Sequence, residues 1–491
     1  MIEQSISRRS FLKSAAVVGT GVAVAGIGVK EANALPAPAK WDQEFDVVVV
    51  GAGTAGLCAA IEACRAGSTV LVLEKEPMAG GSTVISGGAI ALAPNALQKK
   101  EGIKDSADLF FEDMMRIGEY KNNPELVRVY VDNAEACSYF LQEVGVEFTH
   151  LQAFPGISCM RDLMFDTAHM IRTLRDDVTK QGGTVMFNTP GKRLYTDATG
   201  RIIGIKAIKQ KKDFNIKAKK AVILTTGGFS RNKEMLKEFG SIPLELGIPV
   251  AGLGHTGDGH LMGFEVGAGT TDIAMALGPH TGPSCPVDIE TNGLCMCMYG
   301  GGIIVNKNGK RFTNESISYN SISTYGLDQP DALIIHIAEE SMAKAAPLTS
   351  GSKPFIANTL EELATMLGVP PQALIETVKT YNEYTKTGKD LEFGRESLVA
   401  GTPGKIMPIV NPPFCGFLTK PSIVSIKGGL KTDKDAHAIN VFGEIIPNLY
   451  VAGEIVGGIH GSGYHSGSQI GKAAVYGRIA GKNAAAEKSL S

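Results

Sequence analysis

The run FDVVVVGAGTAGLCAAIEACRAGSTVLVLEKE, residues 45 to 76, constrains this chain more than any other stretch of it. Phe45 to Val50 is a short apolar run rich in β-branched residues, which predicts a buried strand. It leads directly into Gly51-Ala52-Gly53-Thr54-Ala55-Gly56 and then into a helix-like segment. A second apolar run, Thr69 to Leu73, ends on Glu74. Strand, G-x-G-x-x-G, helix, strand and acid together make a complete dinucleotide fingerprint, in which glycines let backbone approach a pyrophosphate at a helix N-terminus. Glu74 is placed to accept from a ribose hydroxyl.

The dinucleotide could be NAD or FAD, and the next segment separates them. GGSTVISGGAIALAP, residues 80 to 94, sets Gly80, Gly81, Gly87 and Gly88 around Ser82, Thr83 and Ser86, where an NAD half-domain would start its next helix. Here the sequence resembles the FAD-binding flavoproteins of the fumarate reductase and succinate dehydrogenase superfamily. The resemblance continues through AVILTTGGFS (221–230), HTGDG (255–259), GGIIVNKNGKRFTNE (301–315), KDLEFGR (389–395) and IPNLYVAGE (446–454). It implies an α/β fold: a doubly wound Rossmann-like FAD domain from both chain ends, residues 41–275 and 427–491, with an inserted α+β substrate-capping domain over 276–426. Within the cap, residues 360–388 show helical apolar spacing, with Pro370-Pro371 marking a start, and predict two helices.

By the same resemblance the FAD contacts are Gly51, Gly53, Thr54, Ala55, Gly56, Glu74 and Lys75 from the fingerprint, and Gly81, Ser82, Thr83, Ser86, Gly87 and Gly88 from the double-glycine segment. Thr226, Gly227, Asp258, Glu454, Ser468 and Ile470 complete the set. Relatives that hold FAD covalently carry a histidine after the doubled glycine. This chain has Ser82 to Ser86 there, so noncovalent FAD is expected.

Ser7-Arg8-Arg9-Ser10-Phe11-Leu12-Lys13, the apolar run Ala15 to Val29 and Ala32-Asn33-Ala34 have the order of a twin-arginine export signal over residues 1–34. The apolar run falls short of the roughly 20 residues a membrane-spanning helix needs. Export to the periplasm or extracytoplasmic face is expected, by a route that carries folded proteins. The net charge of −2 gives no basic footprint for nucleic acid, which leaves a small molecule as the expected ligand. The sequence shows no multihaem segment, so electrons are expected from a separate partner such as a cytochrome or a membrane-bound flavoprotein.

A reduced flavin delivers hydride to an electrophilic carbon, and a C=C bond conjugated to a carbonyl is a natural acceptor. The site must also polarise that carbonyl and protonate the neighbouring carbon. Fumarate-type members grip a dicarboxylate with arginines and histidines. From Ala276 onward this chain has only Arg311, Arg395 and Arg478, all in framework motifs. Ala343 falls where those members hold a proton-donating arginine, Ser425 at a substrate histidine and Tyr464 at the final substrate arginine. Tyr464-His465-Ser466 and the double-glycine segment instead resemble the 3-ketosteroid dehydrogenase and enone reductase branch. That resemblance implies catalytic roles for Tyr464, Ser466, Tyr319 and His280, with tyrosine as proton donor.

Reduction of an enone or aryl-acrylate on a neutral or largely apolar substrate is therefore expected. Oxidation of a 3-oxosteroid, a fumarate or urocanate reductase and a non-catalytic flavin carrier are the alternatives. No metal is expected. His460 and His465 are five apart in a glycine loop, and a site would need at least a third ligand. Cys295-Met296-Cys297 shows no ligand spacing and reads as an apolar lining.

Overall fold

The computed structural model describes residues 34–154, 157–240, 243–272, 286–290, 293–317, 319–346, 351–399 and 405–490. The signal segment and His280 lie outside them.

The fingerprint folds as its pattern dictates. β1 (Gln43–Val50) runs into α1 (Thr54–Arg65) and returns as β2 (Val70–Leu73), parallel to β1 with Val50 opposite Leu73. β3 (Thr184–Met186) pairs parallel with β2, and β4 (Lys212–Leu224) pairs parallel with β1, Leu224 opposite Val50. Val47 to Val50 and Val70 to Leu73 are fully or almost fully buried. Such strands, covered on both faces, carry continuous apolar runs rather than alternation.

The C-terminal strand Ile445–Val451 pairs parallel with β4 on its other side, Val451 opposite Leu224. A nine-stranded sheet thus joins residues from both ends of the chain, with the antiparallel strands Gly191–Thr196 and Ile202–Lys209 extending it. The C-terminal helix, Ser468–Ala486, lies along α1 through small residues. A Cβ on Gly477 would come within 2.3 Å of the Ala55 carbonyl oxygen, and one on Gly481 within 2.2 Å of that of Ala59. Two four-residue ladders of small residues therefore let the helix backbones touch. Arg478 and Glu62 close the contact with an ion pair at 2.6 Å.

A second sheet, of six strands, is built from residues 248 to 423 around the central strand Phe414–Ile423. Ile248–Pro249, within the 41–275 stretch, pairs with this sheet rather than the first. The helices Leu360–Leu367 and Pro371–Thr387 appear where the apolar spacing put them, the second with proline in its first turn. Buried charge organises this half. Arg311 bonds Glu315 and Asp390, both at 2.7 Å, and Arg395 donates to the carbonyls of Met298 at 2.7 Å and Gly302 at 2.9 Å. The KRFTNE and FGR motifs are thus framework.

Candidate active site

Three glycines of the fingerprint have three separate reasons to be glycine. Gly51 has φ +108° and packs against Thr225, and a Cβ on Gly56 would come within 1.9 Å of the Gly51 carbonyl oxygen. At Gly53 the same atom would meet only the Gly80 carbonyl oxygen, at 4.0 Å. Gly81 and Gly87 likewise have open space where a side chain would begin. α1 starts at this opening with no side-chain cap and no acid in its first turn, so its N–H groups and positive dipole end face the gap. The C-terminal helix starts in the same uncapped way, behind Gly467. Two helix N-termini without side-chain caps, a glycine-lined opening and the partnerless buried hydroxyl of Thr226 fit a pyrophosphate-linked dinucleotide.

The other cofactor residues predicted from the sequence cluster around the opening. Glu74 accepts from the N–H of Ala52 at 2.8 Å and of Glu76 at 2.9 Å, and burial raises its carboxyl above the ordinary range against those two bonds. A carboxylate has about four acceptor sites, so lone pairs remain for a ribose. Thr54 and Thr83 share a hydrogen bond of 2.8 Å, and Ser86 donates to the Thr83 carbonyl at 2.8 Å. Ser82 meets His255 at 2.9 Å. Lys75 and Asp258 turn out to grip each other, at 2.8 Å, with Thr256 also on the ammonium. Glu454 accepts from the N–H of Ile426 at 2.8 Å. A Cβ on Gly228, next to Gly227, would come within 2.5 Å of that carboxylate.

Of the four predicted catalytic residues, Tyr319, Tyr464 and Ser466 come from distant parts of the chain and meet, while His280 lies outside the described residues. Tyr319 opens the helix Tyr319–Leu327, and its hydroxyl lies 3.4 Å from that of Ser466. Burial pushes the Tyr464 phenol up strongly, with the nearby Tyr319 and Asp162 adding to it. The backbone N–H of Gln469, in the first turn of the C-terminal helix, pulls the other way. Tyr464 is therefore a protonated donor whose conjugate base would face a helix N-terminus. Ser468 and Ile470 share that first turn.

The loop's histidines are fixed separately. His465 Nδ1 donates to the Ser466 carbonyl at 2.7 Å, and its Nε2 lies 3.4 Å from Arg161, with the ring 5.2 Å from Phe110. Burial lowers it to about 4, so it is neutral. His460 bonds Gln469 at 2.9 Å. Among the described residues the two join no group of three metal-ligating side chains. Arg161 is itself held by Asp105 at 3.0 Å and Asp113 at 2.6 Å, all deeply buried.

Two residues escaped the sequence reading. Asp162 is fully buried with both carboxylate oxygens unpartnered, and burial drives its carboxyl well above the usual range, opposed by Arg161. It stands against the loop: a Cβ on Gly467 would come within 2.1 Å of its Oδ1. Lys427 is 3 % exposed, donates to the Ser462 carbonyl at 3.3 Å, and burial lowers its ammonium to about 8 despite Glu119. Lys427 is a lone charge among apolar and glycine neighbours in SIKGG, which was the available signal; Asp162, beside Arg161 in MRDLMF, gave none.

Comparison with known proteins agrees with this geometry. A twin-arginine translocation signal sequence matches residues 5–25, so the chain is exported to the periplasm or extracytoplasmic side. Among the described residues no helix is long and apolar enough to cross a membrane. The chain is 32% identical to the urocanate reductase of Eggerthella lenta over 93% of its length and 77% of that protein's. It is 30% identical to the NADH:fumarate oxidoreductase of Klebsiella pneumoniae over 90% of its length, and spans 48% of that longer protein. Among solved structures it is similar to the open conformation of a flavocytochrome c3 fumarate reductase, with TM-score 0.80 and 29% identity, covering 91% of this chain and 79% of that one. It is also similar to a 3-ketosteroid-Δ4-(5α)-dehydrogenase of Rhodococcus jostii RHA1 in complex with 4-androstene-3,17-dione, with TM-score 0.74 and 26% identity, covering 92% and 100%. The FAD binding domain family matches residues 46–470, and with the open glycine cradle and its two helix N-termini this makes the chain a member of that family, the FAD-dependent oxidoreductases of the fumarate reductase superfamily that act on C=C bonds.

Proposed function

We propose that this protein is an exported reductase of a C=C bond conjugated to a carbonyl, acting on an enone or aryl-acrylate and fed by an external electron donor such as a cytochrome or membrane-bound flavoprotein. Residues 41–275 and 427–491 would hold FAD, and 276–426 would cap the substrate. The observation that carries this proposal is the meeting of Tyr319, Tyr464 and Ser466, while the three arginines after Ala276 are committed elsewhere. Arg311 and Arg395 are bonded inside the second sheet's framework, and Arg478 pairs with Glu62. A site that grips two carboxylates has no arginine to draw on from that half of the chain.

FAD, when bound, supplies the hydride. The Tyr319 and Ser466 hydroxyls polarise the carbonyl, and Tyr464 gives its proton to the neighbouring carbon. Asp162, whose carboxyl burial pushes well above the usual range, stands beside the loop as a reserve acid for that phenol. Lys427 favours one subset of substrates: its ammonium, beside Ser462, suits an aryl-acrylate with a single carboxylate better than a neutral enone.

The test is anaerobic reduction of the purified protein followed by flavin reoxidation with fumarate, urocanate, cinnamates and enone steroids. Cinnamates or enones should reoxidise it rapidly and fumarate slowly, and Tyr464→Phe should slow the rate by about 10² to 10⁴. Rapid reoxidation by fumarate and by no enone or cinnamate would overturn the proposal. Turnover of a saturated 3-oxosteroid with an artificial acceptor, with no enone reduction, would reverse its direction.

A further inference from the structure

The segment Cys295-Met296-Cys297 gave no ligand set in sequence because its third member is about forty residues away. His336 sits in the strand Ile334–Glu339 and faces the two thiols. The sulfurs of Cys295 and Cys297 are 4.0 Å apart, and the ligand atoms of all three residues lie within 4.8 Å of one another. All three side chains are completely buried.

Two features set this cluster apart from ordinary core packing. Apart from its contact with the Cys295 thiol, neither ring nitrogen of His336 meets a hydrogen-bonding partner, and the side chain is fully buried. A buried imidazole pairs at least one nitrogen unless a ligand takes that place. The sulfur separation is also close to the value of about 3.8 Å that tetrahedral coordination with metal–sulfur bonds of about 2.3 Å produces. The turn that carries the thiols is rigid, because Arg395 holds the carbonyls of Met298 and Gly302. Cys415, fully buried on the neighbouring strand opposite Ala338, lies near enough for its thiol and those of Cys295 and Cys297 to feel one another's charge.

We propose that Cys295, Cys297 and His336 bind a soft divalent ion, zinc foremost, inside the second sheet's core. Two thiolates and an imidazole select zinc over the hard, oxygen-seeking cations. A fully buried site of this kind is structural: it would tie the Cys297–Gly300 turn to the strand Ile334–Glu339. Export in the folded state suits it, since thiols are kept reduced in the cytoplasm and would already be metal-bound on reaching an oxidising compartment.

The experiment is elemental analysis of the FAD-loaded protein purified without chelators, with flavin content as the folding control. The expected result is roughly one zinc per chain, and its near-complete loss in Cys297→Ser and His336→Ala. The unaltered protein gives a second readout. Mercurial modification of its thiols should release the zinc, and Co²⁺ exchanged into the site should show thiolate-to-cobalt charge transfer. Protein holding less than about 0.1 zinc per chain and giving no such band with Co²⁺ after treatment with a thiol reductant would overturn the proposal. So would a Cys295–Cys297 disulfide found by mass spectrometry in the freshly purified protein. None of these readouts uses an organic substrate, so they stand or fall apart from the proposed reaction.

Discussion

Tyr464 lies in the glycine loop that Lys427 touches at Ser462, and the two respond oppositely to burial. Removal from water keeps the phenol protonated and makes the ammonium easier to deprotonate. The sign for Lys427 follows directly. Below about pH 8 it is a cation and can pair with a substrate carboxylate; above that it is neutral. The KM for a cinnamate should therefore rise as pH passes through 8, while the KM for a neutral enone steroid stays flat. Lys427→Met should raise the cinnamate KM by roughly tenfold to a hundredfold at pH 7, the weight of one hydrogen bond to a charged group. Equal pH profiles for both substrates, measured by steady-state kinetics, would remove Lys427 from substrate binding. Its stability effect has the reverse of a paired lysine's sign. Because the unfolded chain holds that proton up to its ordinary pKa of about 10.4, folding is favoured as pH rises above 8. Tyr464 and Ser466 were legible because a loop motif marked them, and Tyr319 because it follows the NE motif. Asp162, Lys427 and His336 were not, because what makes each unusual is the neighbours that folding brings to it.

At the scale of elements, the contact between α1 and the C-terminal helix depends on four small residues. Gly477 and Gly481 lie one helical turn apart, as do Ala55 and Ala59, and no Cβ fits at either glycine. Gly481→Leu should destabilise the FAD-binding half on the order of 3 kcal/mol, the upper end for overpacking, and lower flavin content with it. Thermal unfolding followed by flavin fluorescence would measure both. An unchanged midpoint would show that the helix can slide aside. Strand–glycine–helix–strand was readable in residues 45–74 because one local pattern specifies all four parts. The two helices over 360–388 were readable from spacing and proline. The antiparallel strands 191–209 were not predicted, since their pairing is set by β4, a partner that follows them. The second sheet's strands come from residues as far apart as 248 and 423.

At the scale of the whole molecule, residues 445–486 close the first sheet and its helix layer. Ile445–Val451 supplies the strand beside β4, and Ser468–Ala486 supplies both the small-residue helix and the second uncapped N-terminus. A chain ending at Gly443 keeps Gly51 to Gly56 intact but should purify without bound flavin, as measured by its visible absorbance. Near-stoichiometric flavin in that truncation would show that the N-terminal fingerprint suffices alone. The pairing of chain ends also bears on timing. A ribosome releases Arg8 and Arg9 well before Gly481, so the export address is displayed while the pocket it accompanies is still missing a wall. Flavin loading must then wait for Ile445–Val451 and Ser468–Ala486, and a route that accepts only folded cargo would hold the protein inside the cell until those two elements had docked.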